Sequence, residues 1–117
     1  MIKKLARMAM LYDFYGQLLT EKQQAIMELF YSDDLSLSEI AEEYGISRQA
    51  VFDILKRAEN TLETYELKLQ LLKKFKQHQE RITYIGELVD LARKSRSLDY
   101  LEKIADIIEE INDLERK

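Results

Sequence analysis

The chain has 117 residues, enough for one domain or two small ones, and its 46% apolar content suffices for a packed core. Cysteine is absent, which excludes disulfides and thiolate metal sites and suits a reducing cytoplasm. The net charge of −4 is spread unevenly: residues 36–63 hold three cations and six anions, whereas residues 64–81 hold five cations and two anions and form a basic stretch.

Proline is missing and glycine occurs only at 16, 45 and 86, so the chain reads as almost wholly helical, an all-α fold. The opening "MIKKLARMAMLYDFYGQ" has an apolar run too short, and too interrupted by Arg7 and Asp13, for a signal peptide. Nothing approaches the roughly 18 uninterrupted apolar residues of a membrane span. The expected location is therefore the cytoplasm, with no membrane partner. Leu5, Met8, Ala9, Tyr12 and Tyr15 recur at helical spacing and predict a first helix over 3–15, closed near Gly16.

Thr20 followed by Gln23 matches a capping box at the start of a second helix, whose inward face is Ile26, Leu29 and Phe30. "SDD" at 32–34 breaks it. Ser36 with Glu39 is a second capping box, and Leu37, Ile40 and Ala41 give a third helix its apolar side. Gly45 can end that helix in a left-handed conformation, and Ser47 can cap the next. The fourth helix is predicted to bury Val51, Ile54, Leu55, Ala58 and Leu62. With no stop signal after them, it should continue through Tyr65, Leu69 and Leu72 toward residue 80. Two more helices are predicted near 82–95 and 98–115, separated by "KSRS" at 94–97.

Two short helices around a tight turn containing Gly45, with small Ala41 before it and Ile46, Val51 and Ile54 after it, make a helix-turn-helix. Residues 1–63 are expected to form an N-terminal segment holding this motif at 36–63. Residues 64–117 are expected to form a helical, oligomerising extension packed with it as one compact unit.

The stretch "LTEKQQAIMELFYSDDLSLSEIAEEYGISRQAVFDILKRAENTLE", Leu19–Glu63, resembles region 4 of bacterial sigma factors. It is more similar still to the YlxM family, over roughly residues 5–90, from "LYDFYGQLLTEKQ" through "SLSEIAEEYGISRQAVFDILKR" to the run at Leu62–Leu69. The resemblance implies a sigma-region-4-like helix-turn-helix bundle, of winged-helix-superfamily type without a wing, with extra C-terminal helices. It also implies a role in the signal recognition particle pathway, with the particle's GTPase, its RNA or both as partners.

Set against the sigma-like pattern, Ser47, Arg48 and Gln49 of the recognition helix fit. Ala50 and Phe52 stand where sigma-like sequences tend to have arginines, and Asp53 replaces an amide. At 100° per residue the outward face carries Gln49, Asp53, Lys56 and Asn60, with Arg48 and Arg57 the other cations of residues 36–63. Dedicated duplex binders neutralise on the order of 6–10 phosphates, so three cations against six carboxylates disfavour DNA. Phe52 reads either as a protein- or base-stacking contact or as a boundary residue covered by a neighbouring helix.

Lys73, Lys74, Lys76 and Arg81 form a basic patch that reads either as a track for structured RNA or as a solvated helix face. His78 is the only histidine, so neither a metal site nor a cofactor is expected, and no catalytic residues are assigned. In the last helix Leu98, Leu101, Ile104, Ala105, Ile107, Ile108, Ile111 and Leu114 span about 200° of an ideal wheel, roughly twice what one packing surface needs. Leu101, Ile104, Ile108 and Ile111 are the expected interface of a homodimer, in which this helix could be exchanged between protomers.

Three functions follow from these readings. One is a regulatory accessory of the signal recognition particle. The second is a sequence-specific DNA-binding regulator, and the third a sigma-region-4-like module that docks on a transcription component. None is an enzyme.

Overall fold

A computed structural model describes residues 2–116, which form six α-helices in two compact units, Met1–Leu72 and Lys73–Lys117. The first four helices and the start of the fifth build the first unit. Helix α1, Ile2–Tyr15, buries Met8, Leu11 and Tyr15 and leads into a 3-10 turn at Gly16–Leu18. Its inward edge is thus rotated from the predicted one: Leu5 is 46% exposed, whereas Leu11 is fully buried.

Helix α2, Glu21–Met27, starts at the predicted capping box. The Thr20 hydroxyl accepts from the Gln23 N–H, and the Gln23 side chain accepts from the Thr20 N–H, both at 3.1 Å. After Met27 the backbone widens into a π turn, Glu28–Ser32, closed by Asp33 N–H donating to the Glu28 carbonyl at 3.0 Å. The widened turn shifts the apolar register. Ile26 and Met27 become the buried pair, and Leu29 and Phe30 are only half-buried.

Helix α3, Leu37–Tyr44, has the second capping box, and Gly45 follows it at φ 64°. Ile46 N–H donates to the Ala41 carbonyl and Gly45 N–H to that of Glu42, so the free carbonyls of the last turn are satisfied by a Schellman arrangement. The Ser47 hydroxyl then accepts from Ala50 N–H to open α4, Arg48–Leu69. This helix is the axis of the unit. Val51, Leu55, Ala58 and Leu62, spaced three and four residues apart, pack with α1, α2 and α3 in one core, and Ile54 is half-buried beside them.

The expected run-on toward residue 80 does not occur. Gln70 is left-handed at φ 57°, and α5, Leu71–Ser95, begins immediately after it. The stop comes from across the fold. Tyr15 Oη accepts from Leu71 N–H at 3.0 Å, and Glu66 Oε1 accepts both the Leu72 N–H at 3.0 Å and the Tyr15 hydroxyl at 2.7 Å. Two of the N–H groups that a new helix leaves unsatisfied are thereby capped by side chains already in the core. Burial, reinforced by the bond to Glu66, pushes the Tyr15 hydroxyl above its ordinary pKa. The two compact units divide after Leu72, and residues 63 and 64 lie inside unbroken α4.

The second unit is an αα-hairpin. Residues 96–100 join α5 to α6, Leu101–Arg116, so the break at "KSRS" is as predicted but α6 starts a little later than expected. Among the described residues Leu88 and Ile107 are its buried apolar side chains, and Arg81 pairs with Glu110 across the hairpin at 3.2 Å. The Leu114 side chain, on the predicted apolar arc, lies outside the described residues. Among the described residues no helix is long and apolar enough to cross a membrane.

Candidate functional site

The caps at Ser36 and Ser47 and the turn at Gly45 hold α3 and the first turns of α4 in the helix-turn-helix arrangement. Ser47, Arg48, Gln49, Phe52, Asp53, Lys56 and Arg57 are all exposed on its outward side. Gln49 Nε2 donates to Asp53 Oδ1 at 3.0 Å, so these two hold each other before any ligand arrives. Leu37, Arg48, Gln49 and Phe52 line a shallow cleft between the two helices.

Phe52 is 47% exposed, so no neighbouring helix of its unit covers it. On its other side it borders an apolar groove of about 380 Å3. Leu5 of α1, Phe30 and Tyr31 of the π turn, Leu35, Leu37 and Leu55 form its walls, with Lys4, Asp34, Lys56 and Glu59 at the rim. Phe52, Leu55, Lys56 and Glu59 follow the three- and four-residue spacing of one helix edge, which is why α4 presents them together.

The carboxylates of α4 largely face inward. Glu59 is only 7% exposed; it accepts from the Tyr31 hydroxyl at 2.5 Å and pairs with Lys4 at 3.3 Å. Burial, with this bond second, pushes the Tyr31 hydroxyl far above its usual range. Arg7 grips Glu63 with two bonds of 2.8 and 2.6 Å. With Tyr15–Glu66 further along, the three contacts advance together, so α1 and α4 run parallel. Glu39 is held within its capping box, its carboxyl lowered chiefly by the Ser36 N–H. The count of six anions therefore overstates what the outward face presents. Two of the six are neutralised by α1 cations from outside the segment.

Arg7 holds the Glu63 carboxyl below its ordinary pKa of 4.5, first through the hydrogen bonds and then through charge. A carboxyl lowered by folding stabilises the fold above its unfolded pKa, and that contribution is lost as pH falls through the lowered value. Both side chains are about 40% exposed (42% and 39%), so screening keeps the gain below about 1 kcal/mol. Arg7→Met should lower the urea midpoint at neutral pH, and the gap to wild type should close as pH drops below 4.5. A gap unchanged by acid would mean that Arg7 acts through packing alone.

Lys4, Leu5, Arg7 and Tyr31 were not assigned to the site from the sequence, which placed Leu5 on the inward face of the first helix. The available signal was complementary spacing, Lys4 and Arg7 one turn apart on α1 against Glu59 and Glu63 one turn apart on α4. In the second unit Lys73 and Lys76 are exposed and Lys74 is half-buried, while Arg81 is occupied by Glu110 and the Gln77 carbonyl. Of the expected interface residues, Leu101 and Ile108 are exposed and Ile104 and Ile111 are half-buried. Among the described residues no group of three His, Cys, Asp or Glu is placed to hold a metal ion.

Comparison with known proteins bears on this arrangement directly. Residues 2–107 match the family described as "Putative helix-turn-helix protein, YlxM / p13 like" (UPF0122). A UPF0122 protein of Halalkalibacterium halodurans is 50% identical over 109 residues, 93% of this chain and 100% of that protein. UPF0122 protein YlxM of Bacillus subtilis is 48% identical over 111 residues, covering 95% of this chain and 98% of that one. A UPF0122 protein of Bacillus mycoides is 45% identical over 112 residues, 96% of this chain and 100% of its own length.

Proposed function

Since the chain belongs to the YlxM / p13-like helix-turn-helix family, we propose that it is a regulatory accessory protein of the signal recognition particle pathway. It binds the particle's GTPase, its RNA or both in the cytoplasm, without catalysing a reaction. The helix-turn-helix serves as the docking scaffold. The observation that carries this reading is Phe52, half-exposed at the mouth of an apolar groove. A base-reading surface uses polar and cationic side chains, whereas a large aromatic beside a groove is the anchor type of a protein interface.

Titration of the purified chain with the GTPase and, separately, with the RNA tests this. Phe52→Asp should weaken the GTPase complex by roughly thirtyfold or more, as loss of an interface anchor does, while helix content stays unchanged. Absence of binding to both components at micromolar concentration would overturn the proposal.

A second reading, sequence-specific DNA binding, is supported by the inward engagement of Glu59 and Glu63, which leaves Arg48, Lys56 and Arg57 outward with Asp53 alone among the carboxylates of α4's first turns. It requires salt-sensitive, sequence-dependent binding to a duplex that Gln49→Ala abolishes.

A further inference from the structure

The second unit, Lys73–Lys117, is near the size, about 40 residues, below which a chain generally needs disulfides, a metal or oligomerisation to hold its core. The sequence has no cysteine and one histidine. Leu88 and Ile107 are its fully buried apolar residues among those described. Large apolar residues remain open on both helices: Ile82 is 58% exposed and Val89 38% on α5, Leu101 52% and Ile108 46% on α6. Members of each pair are seven residues apart, so they lie on one edge two turns apart and form stripes instead of scattered single residues. A hairpin gives each helix one antiparallel neighbour, whereas an apolar arc near 200° is wide enough for more than one.

Charge selects what covers these stripes. From Lys73 onward α5 carries six cations and three anions, whereas α6 carries two cations and six anions. The two stripes thus lie on two helices of the same chain whose net charges are opposite. We infer that the Ile82–Val89 stripe of α5 packs on the Leu101–Ile108 stripe of α6 in a second copy of this chain. A two-fold axis repeats the contact with the roles of the copies reversed, so both stripes of both copies are covered in one four-helix bundle. The interface is self-complementary in shape and in charge. It brings two helix-turn-helix units into each dimer. This inference does not rest on the function proposed above.

Light scattering on the full chain tests it. Wild type at roughly 100 µM, far above a micromolar dissociation constant, should show twice the 13.9 kDa chain mass. Ile82→Asp and Ile108→Asp should each raise the dissociation constant roughly thirtyfold or more with circular dichroism unchanged. A copy with Lys74, Lys76 and Arg93 all changed to Glu should be monomeric, as should a copy with Glu102, Asp106 and Glu109 all changed to Lys. Mixed, the two should recover a mass of two chains, because each altered α5 then meets an altered α6 of opposite sign. A monomeric wild type, a dissociation constant unchanged by both aspartate substitutions, or a mixture that stays monomeric would overturn the inference. So would a dimer lost on Phe52→Asp but kept in Ile82→Asp, since that would place the contact on the groove.

Discussion

Replacing Glu66 with alanine is expected to destabilise the first unit by about 3 kcal/mol and to blur the break between α4 and α5. The carboxylate is buried, at 8% exposure, and one of its oxygens accepts from both the Tyr15 hydroxyl and the Leu72 N–H. Hydrogen bonds to a charged acceptor are worth about 1.5–3 kcal/mol, and truncation strands two donors in the core at once. Tyr15→Phe should cost less, about 2 kcal/mol, because it keeps the ring packing but leaves Leu71 N–H without its acceptor. Glu66→Gln retains an oxygen at the same position and should cost about 1 kcal/mol. The order Ala, then Phe at 15, then Gln is what distinguishes a cap from general packing. Denaturant melts give the energies, and amide exchange at Leu71 and Leu72 reports the cap directly. Equal costs for Glu66→Ala and Glu66→Gln would show that the carboxylate's acceptor role is not what holds the junction.

That junction also marks the limit of what the sequence discloses. Thr20 with Gln23, Ser36 with Glu39, Gly45 and Ser47 were all legible, because each acts on backbone within a few residues of itself. The stop at Gln70 was not, since its cause is Tyr15, 56 residues from Leu71 in sequence. A polar residue such as Gln at a left-handed position has no local signature; only the groups waiting across the fold make the turn worthwhile. The π turn at Glu28–Ser32 was hidden for a related reason, as one widened turn leaves composition unchanged yet leaves Leu29 and Phe30 only half-buried. At the candidate site the outward residues 47–57 followed from periodicity. The groove did not, because Leu5, Phe30 and Leu35 come from three separate segments. The charge of the segment is likewise set from outside it. Counting 36–63 in isolation ignored Lys4 and Arg7, which neutralise Glu59 and Glu63 from another helix.

Leu62→Ala is expected to be the most damaging single truncation in α4, at about 2–5 kcal/mol, a large share of the 5–15 kcal/mol that holds a typical domain together. Leu62 is fully buried and belongs to the same core cluster as Leu11 and Tyr15 of α1 and Ile26 of α2, so the cavity cannot close by moving one neighbour. Ala58, also fully buried one turn earlier, is already as small as a core side chain can be, so little nearby could expand into the gap. Leu67→Ala is the matched control: at 79% exposure the same chemical deletion should change stability by no more than about 0.5 kcal/mol. Urea melts of the two variants would place them at opposite ends of the α4 series. A small loss for Leu62→Ala would mean that α1 and α2 can collapse onto α4. In that case the groove, whose walls include Leu5 of α1 and Leu55 of α4, would be deformable and not preformed. A large loss, by contrast, fixes Phe52 on a rigid scaffold, so that a binding defect in Phe52→Asp can be read as a lost contact.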